Sequence, residues 1–120
     1  MSNNMNISEM LVHLGGDLLR YVENRQEMQA HLDIVVTAWN MSLSPRDDRA
    51  KVLKKFIKKQ RDYAPNKEAL KGLEAEIKRI MNAKDTYYPD VVSEIVDAEA
   101  IEKEKDNYEI QAYFKEKEEE

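Results

Sequence analysis

The segment Tyr108-Glu109-Ile110-Gln111-Ala112-Tyr113-Phe114 decides the fold class. Tyr108, Ile110, Ala112 and Phe114 fall on one side of an extended chain and Glu109, Gln111 and Tyr113 on the other, the pattern of a half-buried strand. A strand needs a neighbour. Just upstream, Ile95-Val96-Asp97-Ala98-Glu99-Ala100-Ile101 offers one, with Val96, Ala98 and Ala100 alternating against Asp97 and Glu99. Asp106-Asn107 between the two runs is turn chemistry. Ala and Glu also favour helix, so a fourth helix is the competing reading of the upstream run. With a β-hairpin over residues 94–114 the chain is α+β, and the rest of it reads as helix.

Working back to the start, apolar residues recur at helical spacing from Ile7 to about Met41: Ile7, Leu11, Leu14, Leu18, Tyr21 or Val22, Met28, Leu32, Val35 or Val36, and Trp39. Steps of three and four predict one long amphipathic helix with Ser8 as its N-cap and Trp39 as a core anchor near its end. Such a helix would be about 50 Å long. Gly15-Gly16 predicts a kink or a point of close packing within it, and Asn40 a cap or turn at its end. Arg25 interrupts the stripe, which argues for a globular bundle over a two-stranded coiled coil.

The second helix has the clearest start: Ser44 as N-cap, Pro45 at the first helical position, and Asp47 and Asp48 in the first turn, where the helix dipole favours them. Its apolar set is Ala50, Val52, Leu53, Phe56 and Ile57, and it ends before Pro65. A third helix begins near Asn66 and carries Leu70, Leu73, Ile77, Ile80 and Met81. Short connections make these helices antiparallel or steeply crossing neighbours. Pro89 turns Tyr88 out of helical angles. The expected architecture is therefore a mainly α, three-helix bundle with a long N-terminal helix and a C-terminal β-hairpin, one domain over residues 1–114, followed by a charged tail at 115–120.

Composition narrows the functions. Among 120 residues there is no cysteine, which removes disulfide scaffolds, cysteine-ligated zinc, iron–sulfur clusters and thiol nucleophiles. The longest apolar run, Ile34-Val35-Val36, is too short to span a bilayer, and Met1-Ser2-Asn3-Asn4 has no leader character, so a cytoplasmic protein without membrane contact is expected. Charge is unevenly spread. Residues 1–43 carry two arginines against five acids, residues 44–85 thirteen Lys and Arg against seven acids, and residues 86–120 four lysines against twelve acids. Such segments can neutralise one another, so the acidic C-terminal part is expected to fold over and mask the basic middle.

Catalytic signatures are missing. His13 and His31 sit five helical turns apart on the expected long helix, each one turn from an acid (Asp17, Glu27), half of a metal site at most. Glu68, Glu74 and Glu76 do not share a helical face, and neither they nor Glu23 and Glu27 form the paired clusters of a helical metal-dependent hydrolase. No catalytic, cofactor-binding or metal-binding residue is assigned. The candidate partner-binding residues are Tyr63, Tyr87 and Tyr88, which flank loop prolines as an aromatic patch, and Lys54, Lys55, Lys58 and Lys59 on the second helix. The expectation is a non-enzymatic protein-interaction or regulatory module acting through its helical surface on a protein partner, with self-association as a homodimer through surplus apolar stripe. Nucleic-acid binding by the basic helix 45–61 is the alternative, disfavoured by the net charge of −5. An all-helical metal-dependent hydrolase comes third.

Overall fold

The computed structural model describes residues 6–104 and 107–115 and shows five helices and one antiparallel hairpin among them: α1 (Ile7–Gly15), α2 (Asp17–Arg20), α3 (Arg25–Ser42), α4 (Arg46–Gln60), α5 (Lys67–Tyr87), β1 (Glu94–Glu104) and β2 (Asn107–Lys115). The mixed helix-and-strand class and the hairpin follow the alternation of residues 108–114. The expected three-helix count does not hold, because the long N-terminal helix is broken into three. Charged residues 116–120 and Asp106 of the expected turn lie outside the described residues.

The break has two local causes. Gly16 takes a φ of +53°, a left-handed conformation that ends α1, and its N–H closes the helix on the Val12 carbonyl. Farther on, Asn24 caps α3: its Oδ1 accepts the Glu27 N–H at 2.8 Å. Arg25, which interrupts the apolar stripe, is the first residue of that new helix. Gly15 serves the other role open to the pair, since a Cβ there would lie 2.5 Å from Leu19 Cδ1 and 3.3 Å from Val35 Cγ2. The break therefore lets α1 and α2 pack against α3. The cap of α1 is Asn6, whose Oδ1 accepts the Glu9 N–H, rather than Ser8. Helix α4 starts one residue later than the Ser44-Pro45 signal places it, and α5 starts next to Asn66, as expected, with Asn66 as its cap.

One core gathers Leu11, Leu14, Leu32, Val35, Trp39, Ile77 and Ile80, all essentially inaccessible, and the hairpin adds Ile95, Ala98, Ala100 and Ile110. Leu11, Leu14, Leu32, Val35 and Trp39 of the expected stripe are thus covered within one chain, while Tyr21 is exposed. Val96, expected to face inward with Ala98 and Ala100, is 65% exposed. Ile95 pairs with Phe114 and Asp97 with Tyr113, so Val96 is an extra residue in a bulge. That insertion lets Ile95, Ala98 and Ala100 all face the core despite their uneven spacing.

Helix α3 holds β1 by its backbone. Asn40 Nδ2 donates to the Ile95 carbonyl at 2.8 Å while its Oδ1 accepts the Ile95 N–H at 2.9 Å. Gln29, three turns earlier, repeats the arrangement with the Ala98 carbonyl and the Ala100 N–H, both at 2.8 Å. Trp39 Nε1 donates to the Ser93 carbonyl at 2.9 Å. Two side-chain amides thus act as a surrogate strand along β1. Asn40 does not cap or turn the chain; it sits within α3 and binds across to the sheet. Among the described residues no helix is long and apolar enough to cross a membrane.

Candidate functional site

Helices α4 and α5 form an antiparallel arm whose outer ends rest mainly on each other. On α4 only Leu53 is buried, with Val52, Phe56 and Ile57 half-buried beside it. The buried residues of α5, Ile77, Ile80, Met81 and Lys84, all lie in its second half. Leu70, near its start, is half-buried and stands outside the core. Residues 61–66 close the arm, with the Tyr63 and Ala64 N–H groups donating to the Gln60 carbonyl and Asn66 capping α5.

The side of α4 turned away from α5 is cationic. Lys51, Lys54, Lys55, Lys58 and Lys59 are all exposed, Arg61 follows as the C-cap at the mouth of the α4–α5 cleft, and none of the six has an ion pair among the described residues. Lys51 with Lys55, Lys54 with Lys58 and Lys55 with Lys59 are like-charge neighbours one turn apart, each destabilising the helix by about 0.2 to 0.5 kcal/mol. The expected mask is not there: β1 packs on α3 and β2 on α1, leaving this face uncovered by the described part of the acidic segment. The backbone bonds of Gln29 and Asn40 fix the hairpin elsewhere, which is why charge complementarity does not decide its position.

Between the outer ends of α4 and α5 lies an open cleft of about 610 Å³. Ile57, Ala64 and Leu70 supply apolar wall, and Arg61, Lys67 and Lys71 border it with charge. Glu74 also lines it, 3.9 Å from Lys78 Nζ. Lys67, Leu70, Lys71 and Glu74 are spaced i, i+3, i+4, i+7, so they form a single stripe along α5.

The arm is tied to the body at its root. Arg49 grips Asp85 with two N–H groups, at 2.5 and 3.0 Å, and donates to the Ser42 carbonyl at 2.5 Å. Hydrogen bonding to Arg49 holds the Asp85 carboxyl below its ordinary range. Next to it Lys84, only 3% exposed, donates from Nζ to the Tyr88 and Val91 carbonyls and lies 4.9 Å from the centre of the Trp39 ring. Burial lowers its pKa. These cations face a second cleft, of about 520 Å³, but carbonyls and Asp85 take their donors, which makes the cluster a fastening between α3, α4, α5 and the turn before β1.

The tyrosines do not form one patch. Tyr63, 83% exposed, is at the tip of the arm, while Tyr87 and Tyr88 are at the far end of α5, about 30 Å along the helix. Tyr87 is exposed. Tyr88 is 7% exposed, and its hydroxyl shares a 2.5 Å hydrogen bond with His13 Nδ1. Burial raises the Tyr88 pKa, so the phenol keeps its proton. Tyr88 is thus a core residue at the C-cap of α5, just ahead of Pro89. His31 Nδ1 in turn meets the Leu18 carbonyl at 2.7 Å. Neither histidine is spent on the neighbouring acid: Asp17 lies beyond the Gly16 break and pairs with Arg20. No three His, Asp or Glu side chains converge on a metal-sized site among the described residues.

Lys54, Lys55, Lys58 and Lys59 thus lie together on the arm, with Tyr63 at its tip. Sequence reading missed Lys67 and Lys71, although their i, i+4 spacing around Leu70 was visible. It also missed Arg49, Lys84 and Asp85, whose partners are distant in the chain. Within the segment from Thr37 to Pro45, the side chains of Trp39, Asn40 and Ser42 are all bound to backbone groups. Compared with known proteins, the chain matches no family model, no curated protein and no solved structure.

Proposed function

We propose that this chain is a non-enzymatic protein-interaction module whose docking element is the α4–α5 arm and whose partner presents an acidic surface. The observation that carries this reading is the outward face of α4: five exposed lysines without an ion pair among the described residues, on a helix that buries one residue. Their mutual repulsion weakens the free protein, and an anionic partner relieves it. Nucleic acid fits less well. All five cations of that face are lysines, without the planar fork that grips phosphate or guanine, and the adjoining cleft has apolar walls that a phosphate backbone does not use. A chain of net charge −5 is also repelled by a polyanion at long range.

The test is co-purification with tagged full-length chain, run in parallel with a Lys54→Glu/Lys58→Glu variant whose circular dichroism is unchanged. The partner retained by the wild-type chain at physiological salt should be an acidic protein, and it should be absent from the variant. Submicromolar, steeply salt-dependent binding of duplex or single-stranded DNA, abolished by changing Lys54, Lys55, Lys58 and Lys59 to glutamine, would replace this reading with the nucleic-acid one.

A further inference from the structure

We infer that the cleft between the outer ends of α4 and α5 receives one amphipathic helix from the partner, apolar along one side and acidic along its edges. The inference rests on the reading of the arm as a docking element and adds the shape and chemistry of what docks. Three observations lead to it. Ile57 on α4 and Leu70 on α5 face a cleft of about 610 Å³, and Leu70, outside the core, leaves part of its apolar surface open to it. The α5 wall is a straight stripe, Lys67, Leu70, Lys71 and Glu74, matching the length of two helical turns. Arg61, Lys67 and Lys71 border it with three positive charges, while its acid, Glu74, is within reach of Lys78.

Two packed helices with an open apolar seam are completed by a third, whose side chains at i, i+3 or i+4 and i+7 enter the seam. The border selects among helices that could do so. Lysine or arginine along the edges of the incoming helix would meet Arg61, Lys67 and Lys71 at close range, whereas glutamate or aspartate would pair with them. Apolar anchors supply the affinity and the charged border supplies the choice. The exposed face of α4, with Lys54 and Lys58, lies outside this cleft and contacts a different part of the partner.

The probe is a synthetic helical peptide of about four turns with leucines at i, i+4, i+7 and i+11 and glutamates beside them, titrated into isotopically labelled full-length protein and followed by amide shifts. Shifts should cluster at Ile57, Leu70 and Lys71. Lys67→Glu/Lys71→Glu, both exposed positions, should weaken binding about tenfold or more with the protein's own spectrum otherwise retained. Leu70→Gln should do the same through the apolar wall, and a lysine-edged version of the peptide should bind at least about tenfold more weakly. Lys54→Glu/Lys58→Glu should leave the peptide affinity within about twofold, which separates this site from the outer face. The inference is overturned if the glutamate-edged peptide causes no shifts in the cleft, if a scrambled peptide of the same composition binds equally, or if Lys67→Glu/Lys71→Glu changes nothing. A peptide-free dimer in light scattering that Lys67→Glu/Lys71→Glu dissolves would assign the cleft to a second copy instead. Failure here with a partner still lost from Lys54→Glu/Lys58→Glu leaves the broader reading standing.

Discussion

Helices α3 and α4 are adjacent in sequence and held in opposite ways. α3 buries Met28, Leu32, Val35, Ala38, Trp39, Met41 and Ser42, and three of its polar side chains are bonded to the segment from Ser93 to Ala100. α4 buries Leu53 and sends five lysines into solvent. In α3 polar groups are matched to specific backbone atoms; in α4 like charges crowd one another without relief inside the described molecule. Surface that fold stability does not use is free for recognition, and this contrast is what supports the docking role proposed for the arm.

The contrast can be broken most severely at Trp39. Trp39→Ala removes the largest fully buried side chain, the Ser93 hydrogen bond and the face on which Lys84 rests. A loss of about 3 to 5 kcal/mol is expected from urea denaturation. A loss below about 1 kcal/mol would mean that the centre of the body is no better packed than the arm.

Asn40→Ala isolates the backbone clamp. Both polar groups of Ile95 lose their partner, and the expected cost is about 2 kcal/mol, with faster hydrogen exchange in β1 and little change in α4. Equal acceleration in both regions would show that body and arm unfold as one unit. The smallest effect is a gain. A Cβ at Gly72 meets nothing within 4 Å, so Gly72→Ala should stabilise α5 by about 0.5 to 1 kcal/mol and slow exchange at the outer end of the arm only. Slowed exchange reaching β1 would erase the distinction.

The hairpin was legible because period-two alternation in residues 108–114 depends on no distant contact, and Asn66 and the acids of α4 marked two helix starts equally locally. The three-piece N-terminal region was half legible: Gly15-Gly16 and Arg25 flagged both ends of the break, yet the unbroken apolar periodicity read as one helix. A kinked chain folding back on itself can keep the same stripe inward. Val96 misled because a bulge leaves no signature in alternation. Of the candidate site, the lysines of α4 were visible as composition, but their freedom was not. Charge arithmetic favoured a masking acidic segment, and the two amides of α3, separated from β1 by some 55 to 71 residues, decided otherwise.

The contact between α1 and β2 joins the first helix of the chain to its last strand. A chain emerging from the ribosome can complete the α4–α5 arm as soon as residue 87 is free, because that arm is local. The body has to wait. Until the hairpin arrives, α1 and α3 present uncovered apolar surface, and the amides of Gln29 and Asn40 have no strand to bind. Chains interrupted before β2 are therefore exposed to aggregation through their N-terminal half, and the body closes late while the arm forms early.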